Sequence, residues 1–324
     1  MTNRLDAIQA LISVDLGAVD AVIRARLDSD VVLIRQVAQY IIAGGGKRLR
    51  PAMLLLAAGA LGHQGPSAHE LAAVVEFIHT ATLLHDDVVD ESELRRGRRT
   101  ANAAFGNAAS VLVGDFLYSR AFQMMVTVQN MRVMEVLAEA TNTIAEGEVL
   151  QLLNTHNPEI GEDQYLEVIR RKTAKLFEAS ARLGAILGGA PRELEDGFAA
   201  YGTHLGTAFQ VIDDVLDYSG DHTETGKNLG DDLSEGKPTL PLIHVMRSGS
   251  PDQAALVRRA IEQGGRGEFR AVLDAIRDTG ALDFARKQAR RDAEAACRAI
   301  EAVPDSKYRR ALLDLAAFAV DRKY

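Results

Sequence analysis

Residues Leu71-Ala72-Ala73-Val74-Val75-Glu76-Phe77-Ile78-His79-Thr80-Ala81-Thr82-Leu83-Leu84-His85-Asp86-Asp87-Val88-Val89-Asp90 decide the fold of this chain. The stretch is too long for a strand and apolar nearly all round, which predicts a helix held inside a helical bundle. Gly65-Pro66-Ser67 precedes it as a turn, so Ser67 is expected to cap a helix from about Ala68 to Asp90, with Glu70 in capping-box position. Its last residues, Asp86-Asp87-Val88-Val89-Asp90, form a D-D-x-x-D cluster, and the same spacing returns in Asp213-Asp214-Val215-Leu216-Asp217, after a second apolar stretch from Tyr201 to Leu216. In a helix Asp86 and Asp90 share a face, as do Asp213 and Asp217. Like charges four apart, at the end where the helix dipole already disfavours them, each cost from tenths of a kcal/mol to about 1 kcal/mol, and more when buried. A cation should offset that cost. A single acidic triplet reads as a solvated helix end; two copies joined to internal helices read as metal-ligand sets. Hard oxygen donors without a His or Cys cluster point to Mg²⁺, which takes one or two carboxylates and completes its shell with water and substrate phosphates.

The rest of the chain agrees with a helical reading. It has 324 residues, 47% hydrophobic and 25% charged, no Trp and only 5% aromatic residues, and nowhere shows the period-2 alternation of half-buried strands. Leu5, Ile8, Ile12, Leu16, Val19 and Ile23 repeat at helical spacing, and a second helix is expected from a cap at Asp28-Ser29-Asp30 to Gly44-Gly45-Gly46. Pro51 suits the first turn of the next helix, ending near Gly62. Further helices are expected at about Ala108 to Val128, Arg132 to Leu153, Asp163 to Leu187 and Arg192 to Tyr218. A polar loop from Ser219 to Lys237 then precedes a shorter helix opened by Pro238, and three or four amphipathic helices finish the chain, one containing Asp283 to Ile300. With no repeat or composition shift to mark a linker, residues 1–324 read as one all-α domain. A net charge of −8 argues against a nucleic-acid partner, and the lone Cys297 excludes an intramolecular disulfide and suits a reducing cytoplasm. No charge-free apolar run is long enough to span a membrane, so a soluble protein is expected.

Cations able to meet a polyanion lie close to the aspartates in sequence. Arg95-Arg96-Gly97 follows the first cluster, and guanidinium forks suit phosphate oxygens. Gly44-Gly45-Gly46-Lys47-Arg48-Leu49-Arg50-Pro51 places Lys47 and Arg50 at a loop entering a helix start, where backbone N–H groups also favour an anion. This G-G-G-K is not a P-loop, since no strand precedes it and the spacing differs. Lys172-Thr173 lies within an otherwise apolar helix, while Lys227 and Lys237 sit in the polar loop. Arg98-Arg99 reads as solvated loop and His85 as a core histidine; His79, one helical face back from Asp86, is a candidate for substrate contact.

Together these motifs resemble the trans-isoprenyl diphosphate synthases of the polyprenyl synthetase family, in the family's order, over roughly Ala38 to Met246. The resemblance implies a single-domain helical bundle of the isoprenoid synthase type with a central apolar tunnel, normally a homodimer, that joins isopentenyl diphosphate head-to-tail to an allylic diphosphate with Mg²⁺. It implies that Asp86 and Asp90 ligate two Mg²⁺ ions on the allylic diphosphate and that Asp213, helped by Asp217, holds a third, with Asp87 and Asp214 as supporting or bridging groups. Arg95, Lys172, Lys227 and Lys237 would contact the allylic diphosphate; Lys47, Arg50, His79 and Arg96 would hold isopentenyl diphosphate. Thr173 Oγ1 and the Gln210 side-chain oxygen would face the allylic cation that forms as diphosphate leaves, a charge that preorganised dipoles stabilise.

The family stops growth early with bulky aromatics four and five residues before the first aspartate; Thr82 and Ala81 stand there. Small side chains leave the tunnel open, and a deeper floor is expected around Phe122, Met124 and Met125, with Ile78 and Val74 opposite. The stretch from Glu76 to Gly97 is most similar to octaprenyl diphosphate synthases, so the expected product is a chain of about C40–C50, made from a farnesyl or geranylgeranyl primer as a quinone side-chain precursor and delivered to the membrane. Alternatives weighed are a synthase of shorter, geranylgeranyl or farnesyl, products, a class I terpene cyclase, a non-catalytic subunit of a heteromeric synthase and a helical scaffold. A cyclase is expected to carry a different second metal motif, and a non-catalytic subunit to lack aspartates; this chain keeps all six.

Overall fold

A computed structural model describes residues 4–42, 44–95, 97–219 and 229–322. The chain divides into two compact units, one of Met1–Thr141, Leu176–Gly202 and Ala299–Leu315, the other of Asn142–Lys175, Thr203–Arg298 and Ala316–Tyr324.

The first unit contains α1 (Arg4–Leu11), α2 (Ser13–Arg26), α3 (Val32–Ile42), α4 (Leu49–Ala60), α5 (Pro66–Val89), α6 (Ala101–Phe105), α7 (Asn107–Thr127) and the start of α8 (Met131–Asn154). Helix α5 carries the decisive stretch, burying Leu71, Ala72, Ala73, Val74, Val75, Phe77, Ile78, Ala81 and Leu84 against α7, α4 and α2. Its start differs from the expectation. Gly65 is the N-cap and Pro66 opens the helix, because proline's fixed φ and missing N–H suit that position. No side chain caps it, and the Ser67 hydroxyl pairs instead with His63 Nε2 at 3.0 Å. The first N-terminal helix is likewise interrupted, with Ile12 buried between α1 and α2. Between α5 and α6 lies a two-residue hairpin, β1 (Leu94–Arg95) with β2 (Arg98–Arg99), paired antiparallel and too short for any periodic signal.

The second unit contains α9 (Glu162–Ile169), a π-helical turn at Arg170–Ala174, and most of α11 (Arg192–Ser219). The π-turn interrupts what the pattern predicted as one helix to Leu187; α10 (Lys175–Leu187) continues it and from Leu176 belongs to the first unit. Next come α12 (Asp231–Ser234) and α13 (Leu240–Ser248), the latter capped by Thr239 with Pro241 in its first turn, so Pro238 precedes the helix rather than opening it. Four helices follow as expected: α14 (Pro251–Gln263), α15 (Phe269–Asp278), α16 (Ala281–Ala299) and α17 (Lys307–Asp321), the last belonging to the first unit up to Leu315. One core of this unit joins Tyr165, Leu166 and Ile169 to Ala208, Val211, Ile212 and Val215. A second joins Leu242 and Val245 to Val257, Ile261, Val272 and Ile276.

Candidate active site

The first aspartate cluster forms the last turn of α5, with Asp90 as its C-cap. Asp86 and Asp90 are half-buried, whereas Asp87, a third of a turn round from Asp86, is only 4% exposed. Its Oδ1 accepts from Arg95 Nε at 2.8 Å and Nη2 at 2.6 Å, and its backbone carbonyl accepts from Asn102 Nδ2 at 3.0 Å. Burial works against the Arg95 cation, but the hydrogen bond to Asp87 and the charges of Asp87, Asp86 and Asp90 outweigh it and hold Arg95 above its ordinary pKa. Arg95 thus comes to the cluster already anchored, on the hairpin that follows α5.

Around His79 the same unit brings together some of the residues expected to hold isopentenyl diphosphate. Arg50 Nη1 lies 3.3 Å from His79 Nε2, and its guanidinium stacks 4.2 Å over the ring of Phe177. The Lys47 carbonyl accepts from Gln9 Nε2 at 3.3 Å. Arg48, with φ of 49°, pairs with Glu76 on α5 and so ties the glycine-rich loop to the decisive helix. A cleft lined by Gly44, Gly45, Arg48, Glu76, His79, Thr80, Asp87, Arg95, Arg98 and Arg99 opens there. Arg98 and Arg99 are exposed, as read, yet both face this cleft, with Arg98 stacked on Tyr40. His85 packs on Gly114, where a Cβ would collide with its ring, and lies 3.3 Å from Asp115. Arg96 lies outside the described residues.

The chain-length candidates occupy α5 and α7. Ala81 and Ile78 are fully buried, Met124 and Met125 nearly so, and Phe122 is half-buried. Thr82 donates its hydroxyl to the His79 carbonyl at 2.8 Å, so its polar atom is satisfied within the helix.

The second cluster lies in the last two turns of α11. Asp213 and Asp217 are half-buried and Asp214 is 3% exposed, the same division as in the first cluster. Asp214 is held by neutral donors; Tyr165 Oη donates to its Oδ2 at 2.6 Å and Gln210 Nε2 to its Oδ1 at 2.9 Å. Burial, followed by the Asp232 charge, pushes its pKa up to about 8, while the Tyr165 and Gln210 hydrogen bonds pull the other way. Asp213 Oδ1 pairs at 2.6 Å with Arg322 Nη1, whose guanidinium also stacks 3.7 Å over Phe209. Asp217 Oδ2 accepts from the Asp232 N–H at 3.3 Å, at the start of α12.

Lys172 and Thr173 sit in the π-turn. Lys172 Nζ pairs with Glu148 at 2.6 Å, and Thr173 Oγ1 donates to Gln210 Oε1 at 3.0 Å. The turn presses on α8, where a Cβ at Gly147 would lie 2.6 Å from the Lys172 nitrogen. Lys237 pairs with Glu235 at 2.5 Å, and Lys227 lies outside the described residues. Sequence reading missed Tyr165 and Arg322, since one reads as a core aromatic and the other as part of a generic terminal helix. Among the described residues no three His, Cys, Asp or Glu groups converge to hold a metal by themselves. The donors at hand are carboxylate oxygens in pairs, the set that suits Mg²⁺ sharing its shell with phosphate.

The polyprenyl synthetase family model matches residues 31–276. This chain belongs to the polyprenyl synthetase family. It is 55% identical over 319 residues to the octaprenyl diphosphate synthase of Escherichia coli K12, covering 98% of this chain and 99% of that one. It is 47% identical over 316 residues to an all-trans-nonaprenyl-diphosphate synthase (geranyl-diphosphate specific) of Rhodobacter capsulatus, covering 97% of each. Among solved structures, a polyprenyl synthase from Caulobacter crescentus CB15, complexed with calcium and isoprenyl diphosphate, superposes with a TM-score of 0.95 at 45% identity, covering 99% of this chain and 98% of that one. The likeness therefore extends well past Met246, where the motifs end, into the C-terminal helices. The all-α isoprenoid synthase fold and a prenyltransferase activity follow from this membership.

Proposed function

We propose that this protein is a long-chain all-trans polyprenyl diphosphate synthase that adds isopentenyl diphosphate head-to-tail to an allylic diphosphate, with a product of about C40–C50, eight to ten isoprene units. The observation that carries the reading is the shared division of the two clusters, each with half-buried outer aspartates and a buried middle one held by an inward partner. Asp86 and Asp90 would hold two Mg²⁺ ions for the allylic diphosphate, and Asp213, helped by Asp217, a third. Bound Mg²⁺ supplies electrostatic stabilisation of the leaving diphosphate. Arg95, Lys172, Lys227 and Lys237 grip the allylic diphosphate; Lys47, Arg50, His79 and Arg96 orient isopentenyl diphosphate. Lys172 and Lys237 each pair with a glutamate, which places the ammonium before substrate arrives. Negative charge grows on the departing diphosphate, and these donors meet it without reorganising. Thr173 Oγ1 and Gln210 Oε1 turn lone pairs toward the allylic carbons, apolar walls exclude water that would quench the cation, and the proton lost after condensation leaves with diphosphate.

The small, fully buried Ala81 side chain supports a path for the growing chain along α5, and the buried Met124 and Met125 of α7 support a floor to it. The protein works as a homodimer in the cytoplasm and releases its product to the membrane. Exposed apolar residues support the dimer: Leu112 and Val126 on α7, and Met131, Val149, Leu152 and Leu153 on α8. Among the described residues no helix is long and apolar enough to cross a membrane. The test incubates the protein with Mg²⁺, labelled isopentenyl diphosphate and farnesyl or geranylgeranyl diphosphate, and resolves products by length. A ladder ending at C40–C50 is expected; no elongation refutes the enzyme, and an end below C30 refutes the long-chain reading alone. Ala81→Tyr should cut the product to about C15–C20, because an aromatic fills a path only a small side chain leaves open.

A further inference from the structure

We infer that Tyr165 is a positioning residue for the condensation, fixing through Asp214 which end of the Gln210 amide faces Thr173. The inference rests on the reading that Thr173 and Gln210 face the allylic cation, and adds a residue that reading does not contain. The four side chains form one hydrogen-bonded row: Tyr165 Oη to Asp214 Oδ2 at 2.6 Å, Gln210 Nε2 to Asp214 Oδ1 at 2.9 Å, and Thr173 Oγ1 to Gln210 Oε1 at 3.0 Å. Tyr165 and Asp214 are buried, whereas Gln210 and Thr173 are half-buried. The row therefore runs from the core outward.

An amide has a donor end and an acceptor end, and its neighbours choose which points where. Gln210 Nε2 donates to Asp214 Oδ1, so Oε1 faces Thr173. Thr173 commits its only hydroxyl proton to Oε1, leaving oxygen lone pairs as what it presents elsewhere. Both dipoles then offer their negative ends, the arrangement that suits a developing cation. A reversed amide would donate to the Thr173 oxygen and turn the hydroxyl proton outward, with the opposite effect. Asp214 can hold the amide only if its carboxylate plane is itself held, and a buried second oxygen needs its own donor. Tyr165 is that donor.

The π-turn makes this contact possible. Residues 165 and 173 would lie about 80° apart on a regular α-helix at 100° per residue. The extra residue absorbed at Arg170–Ala174 brings them near one face, opposite Gln210 and Asp214, which share a face of α11 as an i, i+4 pair.

Steady-state kinetics on the full-length protein test the inference. Tyr165→Phe keeps the ring and removes only the donor; kcat should fall roughly tenfold, with KM for both diphosphates within about twofold of native. The double variant Tyr165→Phe/Gln210→Leu should be no slower than Gln210→Leu alone, because one row is broken once in either case. Ring-fluorinated tyrosine at position 165 keeps the hydroxyl and should retain native kcat, which also provides the measurement if Tyr165→Phe does not fold. A native kcat in Tyr165→Phe, a loss confined to KM, effects that multiply in the double variant, or a loss with fluorotyrosine each overturn the role of Tyr165 while leaving that of Gln210 standing. A native kcat in Gln210→Leu instead refutes the reading of Gln210, and the row with it.

Discussion

The two D-D-x-x-D clusters share spacing, helical setting and even the burial of their middle aspartate, yet the protein balances that aspartate by opposite means. Asp87 meets a guanidinium, Arg95, in a two-nitrogen grip on one oxygen. Asp214 is held by the neutral donors Tyr165 and Gln210, and burial lifts its pKa to about 8. The outer aspartates differ as well, since Asp213 is paired with Arg322 from the far end of the chain. Equal spacing thus decides which carboxylates face outward, while the partners at hand, Arg95 for Asp87 and Tyr165 with Gln210 for Asp214, decide how each inner aspartate is held.

Breaking the outer aspartates should have the largest effect and should erase the contrast. Asp86→Ala and Asp213→Ala are each expected to lower kcat on the order of 10²–10³-fold, measured by isopentenyl incorporation at saturating Mg²⁺. If only one cluster responded, the clusters would not share a role. Arg95→Met should be the costlier inner change. It strands the buried Asp87 carboxylate, and the loss of an ion-pair partner of this kind costs about 3–5 kcal/mol, readable as a lower urea midpoint. Tyr165→Phe removes only a neutral donor and should cost about 1–3 kcal/mol; equal losses would mean that the different partners do not matter.

Proton linkage separates the clusters in a further way. The raised pKa of Asp214 makes the folded state bind a proton more tightly than the unfolded chain, whose carboxyl titrates near 3.8. Its contribution to stability is fully present below about pH 4 and lost as pH rises through about 8. Denaturant titrations of the metal-free protein should show stability falling across that window, and Asp214→Asn should flatten the slope. The smallest effect is expected for the coupling between Arg322 and Asp213. Asp213 is 43% exposed, so the ion pair itself should be worth about 1 kcal/mol, read from a double-mutant cycle of Arg322→Ala and Asp213→Ala that cancels the burial of the 3%-exposed Arg322 side chain against Phe209; a larger coupling would mark the pair as a structural anchor.

The helices and the aspartates were legible because their signals are local. A run such as Leu71 to Leu84 has only one way to bury its faces, and spacing alone sets Asp86 and Asp90 side by side. Cap assignments fared worse at Ser67 and Pro238, since a proline nearby changes where a helix can start. Arg98 and Arg99 read as solvated, and they are exposed, but only the fold brings them to the cleft beside His79. Tyr165 gave no signal, being eight residues from Thr173 in a pattern that looks like uninterrupted α-helix.

By itself the sequence determined an all-α chain, the two acidic clusters, the basic residues that answer them and a small side chain at position 81. These are properties of composition and of period, which a helix expresses wherever it lies. Only the tertiary structure decided that Arg95 is committed to Asp87, that Arg322 reaches Asp213, and that a π-turn carries Thr173 onto the face where Tyr165, Asp214 and Gln210 meet. Each of these pairs residues that are not neighbours on one regular helix, and burial in a low-dielectric interior gives such pairings their weight.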